Sequence, residues 1–405
     1  MGRQINWIKI SLLNLLIVAL IGVLMRYKIG FELLVFDQKH LQTAHSNFAF
    51  SGWISQTLMA LMVYALHGKI HEERERLYNR ILQGNLFFAY GMLISYALQG
   101  YGLYSIAFSI CAIFISFVFA KCYFKDCRTI DLNGGELWFQ AALFFNILSS
   151  LGGFALSAMM ITKNLSQHLY LMATYWYLHF QYNGWFFFAC MGLFFVFIKS
   201  KHATFNQKKS MFWLFCASCI PAYGLSILWT DLPVAIYVIV VLAAIAQLWG
   251  WGEIVLELRR SSFFELSKVD KLSKTLFTLG FLSLTIKLCL QLGSTVPAIS
   301  KMAFGFRPIV IAYLHLVLLA FTTVFLIAYI YSKELITINK GTIIGIGIFV
   351  SGIYLNEIVL ATQGIFSLSY TMVPYVNSIL LGISVFIFIG LFILFMAQNK
   401  PSIVK

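Results

Sequence analysis

Apolar runs of bilayer length punctuate this chain from end to end, and that feature alone removes most folds from consideration. Windows of about 20 apolar residues, the length that crosses hydrocarbon, fall at 6–25, 42–66, 81–98, 103–121, 137–161, 171–198, 210–229, 233–257, 274–293, 307–331, 341–361 and 374–397. Hydrocarbon offers no partner to backbone N–H and C=O groups, so each window must satisfy its own as a helix. The connectors are short and polar, and none is long enough for a soluble domain. The expected fold is an all-α membrane protein of twelve transmembrane helices forming one domain over 1–405. A composition of 60% hydrophobic and 11% charged residues excludes an ordinary soluble globule.

A formal charge of +14 would suggest a nucleic-acid partner in a soluble chain. Here the basic residues flank the apolar windows, so the lipid bilayer is the expected partner and nucleic acid is not. Of 29 Lys and Arg, 22 lie at the termini or in loops after even-numbered windows, six lie on the other side, and Lys287 falls within a window. The positive-inside rule then puts both termini in the cytoplasm. Arg3 and Lys9 lead into the first window without a small-residue cleavage site, which reads as a retained helix. The seven cysteines form no C-x-x-C-H motif, and Cys216 and Cys219 read as packing thiols.

Three histidines recur on every fourth window. His45 opens H-S-N-F-A-F-S-G-W, His179 opens H-F-Q-Y-N-G-W, and His315 sits in Y-L-H-L-V-L-L-A-F, with separations of 134 and 136 residues. These are close to a third of the chain, so the windows read as three pseudo-repeats of four helices, roughly 1–130, 131–270 and 271–405. Each histidine lies in the first turns of its window, roughly 5–12 Å below the outer boundary at 1.5 Å per residue. Imidazoles from different helices at one depth suit the axial positions of a haem iron. The plainer alternative is that each hydrogen-bonds a neighbouring carbonyl or hydroxyl. Trp53, Trp176 and Trp185 nearby would suit a macrocycle and equally an interfacial belt.

Topology and motifs together resemble subunit I of the haem-copper oxidase superfamily, nearest its cbb-type oxidase and nitric oxide reductase branches. His45 in A-H-S-N-F-A-F matches the low-spin haem ligand of the family's second helix. The family's tenth-helix H-x-H corresponds to Tyr313-Leu314-His315, so His315 matches the other low-spin ligand and Tyr313 stands in place of the high-spin one. Trp176-Tyr177-Leu178-His179 resembles W-x-x-H, whose histidine binds the second metal. Pro221-Ala222-Tyr223 occupies the P-H-H that supplies that metal's two further ligands, and L-P-V-A-I-Y and W-G-W-G-E continue the pattern.

The resemblance implies one low-spin haem b on His45 and His315. With Ala222 and Tyr223 replacing two imidazoles, His179 alone lacks the ligand count of copper or non-haem iron, so copper is not expected. Tyr313 could ligate iron as a phenolate, but that would not restore a two-metal centre. The expected protein has no catalytic residues for reducing dioxygen or nitric oxide, and His179, Tyr313 and Tyr223 mark residual second-metal or haem-pocket positions. Its implied setting is the bacterial inner membrane. Its implied role is electron transfer or a nitric oxide- or haem-linked function, with a redox partner in the membrane or periplasm. Two readings stay open beside it: a metal-free transporter or scaffold, and an atypical oxidase or nitric oxide reductase built on His179, Tyr223 and Tyr313.

Other polar residues in or near the windows need an account. The pair His67 and His71 reads as a solvated helix end rather than a metal site. Glu253 and Glu257 are expected to be neutralised by Arg259 and Arg260, while Glu357, beside Asn356, is either a proton-relay group or half of an interhelical hydrogen bond. Lys287 is expected either to snorkel or pair or to serve a proton path. Gly152-Gly153 and Pro221 are the only hints of interrupted, transporter-like helices.

Overall fold

The computed structural model describes residues 2–31, 37–163, 166–201, 205–261 and 269–399. Lys268, Lys400 and Lys405, assigned above to the cytoplasmic side, lie outside the described residues.

Among the described residues the chain is helical, without strands. The order is α1 (Gly2–Gly30), α2 (Gln38–Ala65), α3 (Glu72–Gln99), α4 (Leu103–Cys127), α5 (Glu136–Thr162) and α6 (Gln167–Lys201). Then come α7 (Lys209–Cys219) with a 3₁₀ turn (Pro221–Ile227), α8 (Val234–Arg260) and α9 (Lys271–Gly293). A short helix (Pro297–Gly305) precedes α10 (Arg307–Ser332), α11 (Lys340–Leu368) and α12 (Val376–Ala397). Eleven of the described helices are long and apolar enough to cross a membrane, and α7 with its 3₁₀ turn makes a twelfth if that bent pair is one span. The seventh window is therefore broken at Pro221, one of the two places where the sequence hints at an interruption. Pro221 has no N–H and its ring crowds the preceding turn, and the chain bends there by 47°.

Local chemistry sets several helix starts. Asp37 caps α2 by accepting the N–H groups of Lys39 and His40 at 2.8 and 3.1 Å. Asp270 accepts Ser273 N–H at 2.9 Å to begin α9, and Asn339 accepts Thr342 N–H at 2.9 Å to begin α11. These side chains satisfy donors that a helix's first turn leaves unpaired.

The chain forms two compact units, one of Met1–Lys121 with Tyr329–Lys405 and the other of Cys122–Ala328. In the first unit α2 is the buried helix, with 72% of its apolar window inside, against 39% for α1. The first unit also packs α11 on α12 through glycines. A Cβ on Gly345 would lie 2.6 Å from Leu394 N, and one on Gly390 2.5 Å from Phe349 N, so only glycine admits this backbone approach. In the second unit α6 is central, with 83% of its window buried. Its apolar residues run all round, as a helix enclosed on every side requires. Gly152 faces α6, where a Cβ would lie 2.6 Å from Ala173 O. Close packing thus accounts for this glycine, and α5 runs unbroken through it.

Three helices carry a wide π turn: α2 at Ala49–Ser55, α6 at Phe180–Phe186 and α10 at Leu316–Thr323. In α2 and α10 the wide spacing shows in Gln56 N–H reaching Ser51 O and Val324 N–H reaching Leu319 O. Such turns are rare and commonly lie at functional sites. They are also the three helices that carry the histidines.

Candidate functional site: the histidine positions and a buried polar chain

Each π turn begins immediately or within four residues after its histidine. A π turn displaces carbonyls from the regular ladder, and buried carbonyls need donors. In α2 Thr57 Oγ1 of the same helix donates to Trp53 O at 2.6 Å, and further donors come from neighbouring helices. Asn14 Nδ2 donates to Gly52 O at 2.6 Å, and Asn85 Nδ2 donates to Ser51 O at 3.2 Å. Tyr90 O–H in turn holds Asn14 Oδ1 at 2.8 Å. In α10 the chain supplies its own donors, with the hydroxyls of Thr322 and Thr323 reaching Val317 O and Leu318 O at 2.8 and 2.9 Å.

His45 belongs to the first unit, where its half-buried ring lies against α1, 3.6 Å from where a Cβ on Gly22 would be. His315 belongs to the second unit. Its Nδ1 lies 2.9 Å from Ile311 O, and a carbonyl can only accept, so Nδ1 carries the proton. The ring's lone pair is then on Nε2. This is the tautomer that an Nε2 metal ligand needs, fixed by the kind of bond that orients ligating histidines.

His179 is arranged differently. It is fully buried, and both ring nitrogens are engaged by protein. Nε2 lies 2.9 Å from Cys219 O, so Nε2–H donates, while Asn183 Nδ2 donates to Nδ1 at 3.0 Å. Lys287 Nζ donates to Asn183 Oδ1 at 2.5 Å, which fixes the orientation of the amide. The result is one directed chain, Lys287 to Asn183 to His179 to the Cys219 carbonyl. That carbonyl is available because the chain tightens into a 3₁₀ turn from Pro221 on. In the 3₁₀ turn Tyr223 N–H bonds Ile220 O at 3.1 Å instead of continuing the α ladder to Cys219.

The other residues singled out from the sequence surround this chain. Tyr223 turns its hydroxyl to Met172 O at 3.0 Å and sets its ring edge-on to Trp176 and His179, at 4.9 and 5.9 Å between centroids. Tyr313 meets Tyr182 edge-on at 6.2 Å. Beside them Gln181 Nε2 donates to Asn146 Oδ1 and Ser149 Oγ at 2.9 and 2.7 Å. A cavity with room for about one water-sized particle, roughly 10 Å³, is lined by Asn183, Phe187, Phe188, Phe215, Gln247 and Lys287.

The donor set at His179 does not fit a second metal. Neither imidazole nitrogen offers a lone pair in this arrangement, Ala222 has no donor atom, and the Tyr223 hydroxyl is committed to Met172. The hydrogen bond at His315 does fit an axial haem ligand.

Elsewhere, Glu253 accepts from Ser210 Oγ and Trp249 Nε1 at 2.6 and 3.2 Å, and Glu257 accepts Asn206 N–H at 3.1 Å. These are not the arginine partners expected. Glu357 is half-buried and accepts from Asn356 Nδ2 at 3.3 Å. His67 pairs with Glu75 at 3.0 Å rather than with His71. No cluster of three or more His, Cys, Asp or Glu suited to a metal occurs among the described residues.

Asn183, Gln181 and Gln247 were missed from the sequence. Asn183 had a usable signal, since it stands four residues after His179 and so on the same helix face. The chain matches no protein-family model and no curated protein.

Proposed function

We propose that this chain is a haem-carrying membrane protein on a twelve-helix, three-repeat plan like that of haem-copper oxidase subunit I, lacking the oxygen- or nitric oxide-reducing centre. One low-spin haem b would be held by His45 and His315, a pairing that the resemblance alone implies. The observation that carries the reading is the recurrence of one local device, a histidine followed by a π turn, on α2, α6 and α10. Such turns commonly mark functional sites. A shared device at positions a third of the chain apart also supports descent from a repeated four-helix unit.

The haem supplies one-electron chemistry when bound. The chain's part is to present Nε2 of His315 through the Ile311 hydrogen bond and to hold His45 against α1. At His179 the chain places an amide against the imidazole and a lysine ammonium behind the amide. The reading is therefore electron transfer, or haem- or nitric oxide-linked sensing or protection, in the inner membrane with a membrane or periplasmic redox partner.

The test is optical. Full-length protein purified with haem supplied should show a sharp reduced-minus-oxidised low-spin spectrum. That spectrum should disappear in His45→Ala and His315→Ala and persist in His179→Ala. A colourless wild-type preparation would sink the haem reading. A carbon monoxide-sensitive high-spin component would instead restore the reductase alternative.

A further inference from the structure

We propose that the cavity beside Lys287 is a binding site for a single small anion of halide size. This does not rest on the haem reading. Lys287 is only 5% exposed, and its one hydrogen bond among the described residues goes to Asn183 Oδ1. An ammonium has three donors, so two are left over, and no carboxylate pairs with it among the described residues. Gln247, 3% exposed, lines the same cavity, and its amide makes no hydrogen bond among the described residues. Its NH₂ group is a further donor for the same occupant.

The chemistry selects the ligand. A cation taken out of water costs several kcal/mol unless an opposite charge or a full set of acceptors compensates it. Asn183 supplies one neutral acceptor, Gln247 brings an amide oxygen to the same cavity without charge, and Phe187, Phe188 and Phe215 supply none. An anion in the cavity would receive the spare Lys287 N–H groups and the Gln247 NH₂ while neutralising the charge, whereas a water neutralises nothing. A cavity this small favours a single monatomic anion, seated with a slight adjustment of the lining side chains, over sulfate, phosphate and carboxylates. The anion is thus the counter-ion for Lys287.

The experiment is equilibrium binding of radiolabelled chloride to the purified full chain in detergent. It is paired with thermal melting in chloride or bromide against gluconate at equal ionic strength. Saturable binding of a single anion is expected, with a melting temperature raised by roughly 2 °C near saturation. Lys287→Met should weaken binding by at least about tenfold, as loss of a charge-assisted hydrogen bond implies. Gln247→Leu, which leaves the charge in place, should weaken it several-fold. The wild-type measurement stands even where Lys287→Met fails to fold. Absence of saturable binding to wild type would overturn the proposal, leaving water alone in the cavity or an uncharged lysine. Unchanged binding in folded Lys287→Met would overturn it equally, by placing the anion elsewhere.

Discussion

At the residue scale, His179 shows how a side chain's partners decide its role. A neutral imidazole has one donor and one acceptor, and this structure uses both inside the protein. Asn183 is the pivot, because its amide links the only lysine well inside an apolar window to the buried histidine. Asn183→Leu keeps the volume similar and removes both bonds at once. It leaves the Nδ1 acceptor and the ammonium of Lys287 buried with fewer partners, a loss expected to cost roughly 2 kcal/mol or more. The check is thermal or denaturant unfolding in detergent. Stability within error of wild type would show that the chain of bonds is dispensable. Asn183 was legible only as a neighbour of His179 on the helix face. Its second partner, Lys287, lies 104 residues away in sequence, and no local pattern encodes such a pairing.

At the element scale, the π turns are the feature that hydropathy does not reveal. A window of apolar residues reads the same whether the helix inside it is regular or carries a wide turn. The wide turn persists in α2 because Asn14 and Asn85 reach across to the displaced carbonyls, and those residues belong to α1 and α3. Deleting one residue from the turn, for instance Ser51, should restore a regular ladder and rotate the preceding part of α2 by about 100°. His45 would then leave its place against α1. The expected outcome is loss of the low-spin haem spectrum with far-ultraviolet helicity retained. A variant that keeps the spectrum would show that the turn does not position His45. The bend at Pro221 is a contrasting case. The proline is plain in the sequence, but its consequence, a carbonyl of Cys219 left for His179, needs α6 packed beside α7.

At the scale of the whole molecule, the charge pattern predicts an orientation. With 22 basic residues on one side against six on the other, reporters fused at either terminus should be active in their cytoplasmic form. A reporter placed between α5 and α6 should show the opposite state. Active outward reporters at both termini would reverse the topology. The existence of the spans and their number, to within the bent seventh, followed from sequence alone. A backbone in hydrocarbon must bond to itself, and that requirement is local and independent of neighbours. That His45, His179 and His315 fall on three separate helices was likewise plain from spacing. Tertiary structure alone decided the tautomer-setting partner of His179, the wide turns, and the lysine and glutamine that share a cavity. The histidine's partner, the wide turn of α2 and the shared cavity depend on which polar groups meet across helices, and a buried polar group takes whatever partner the packing supplies.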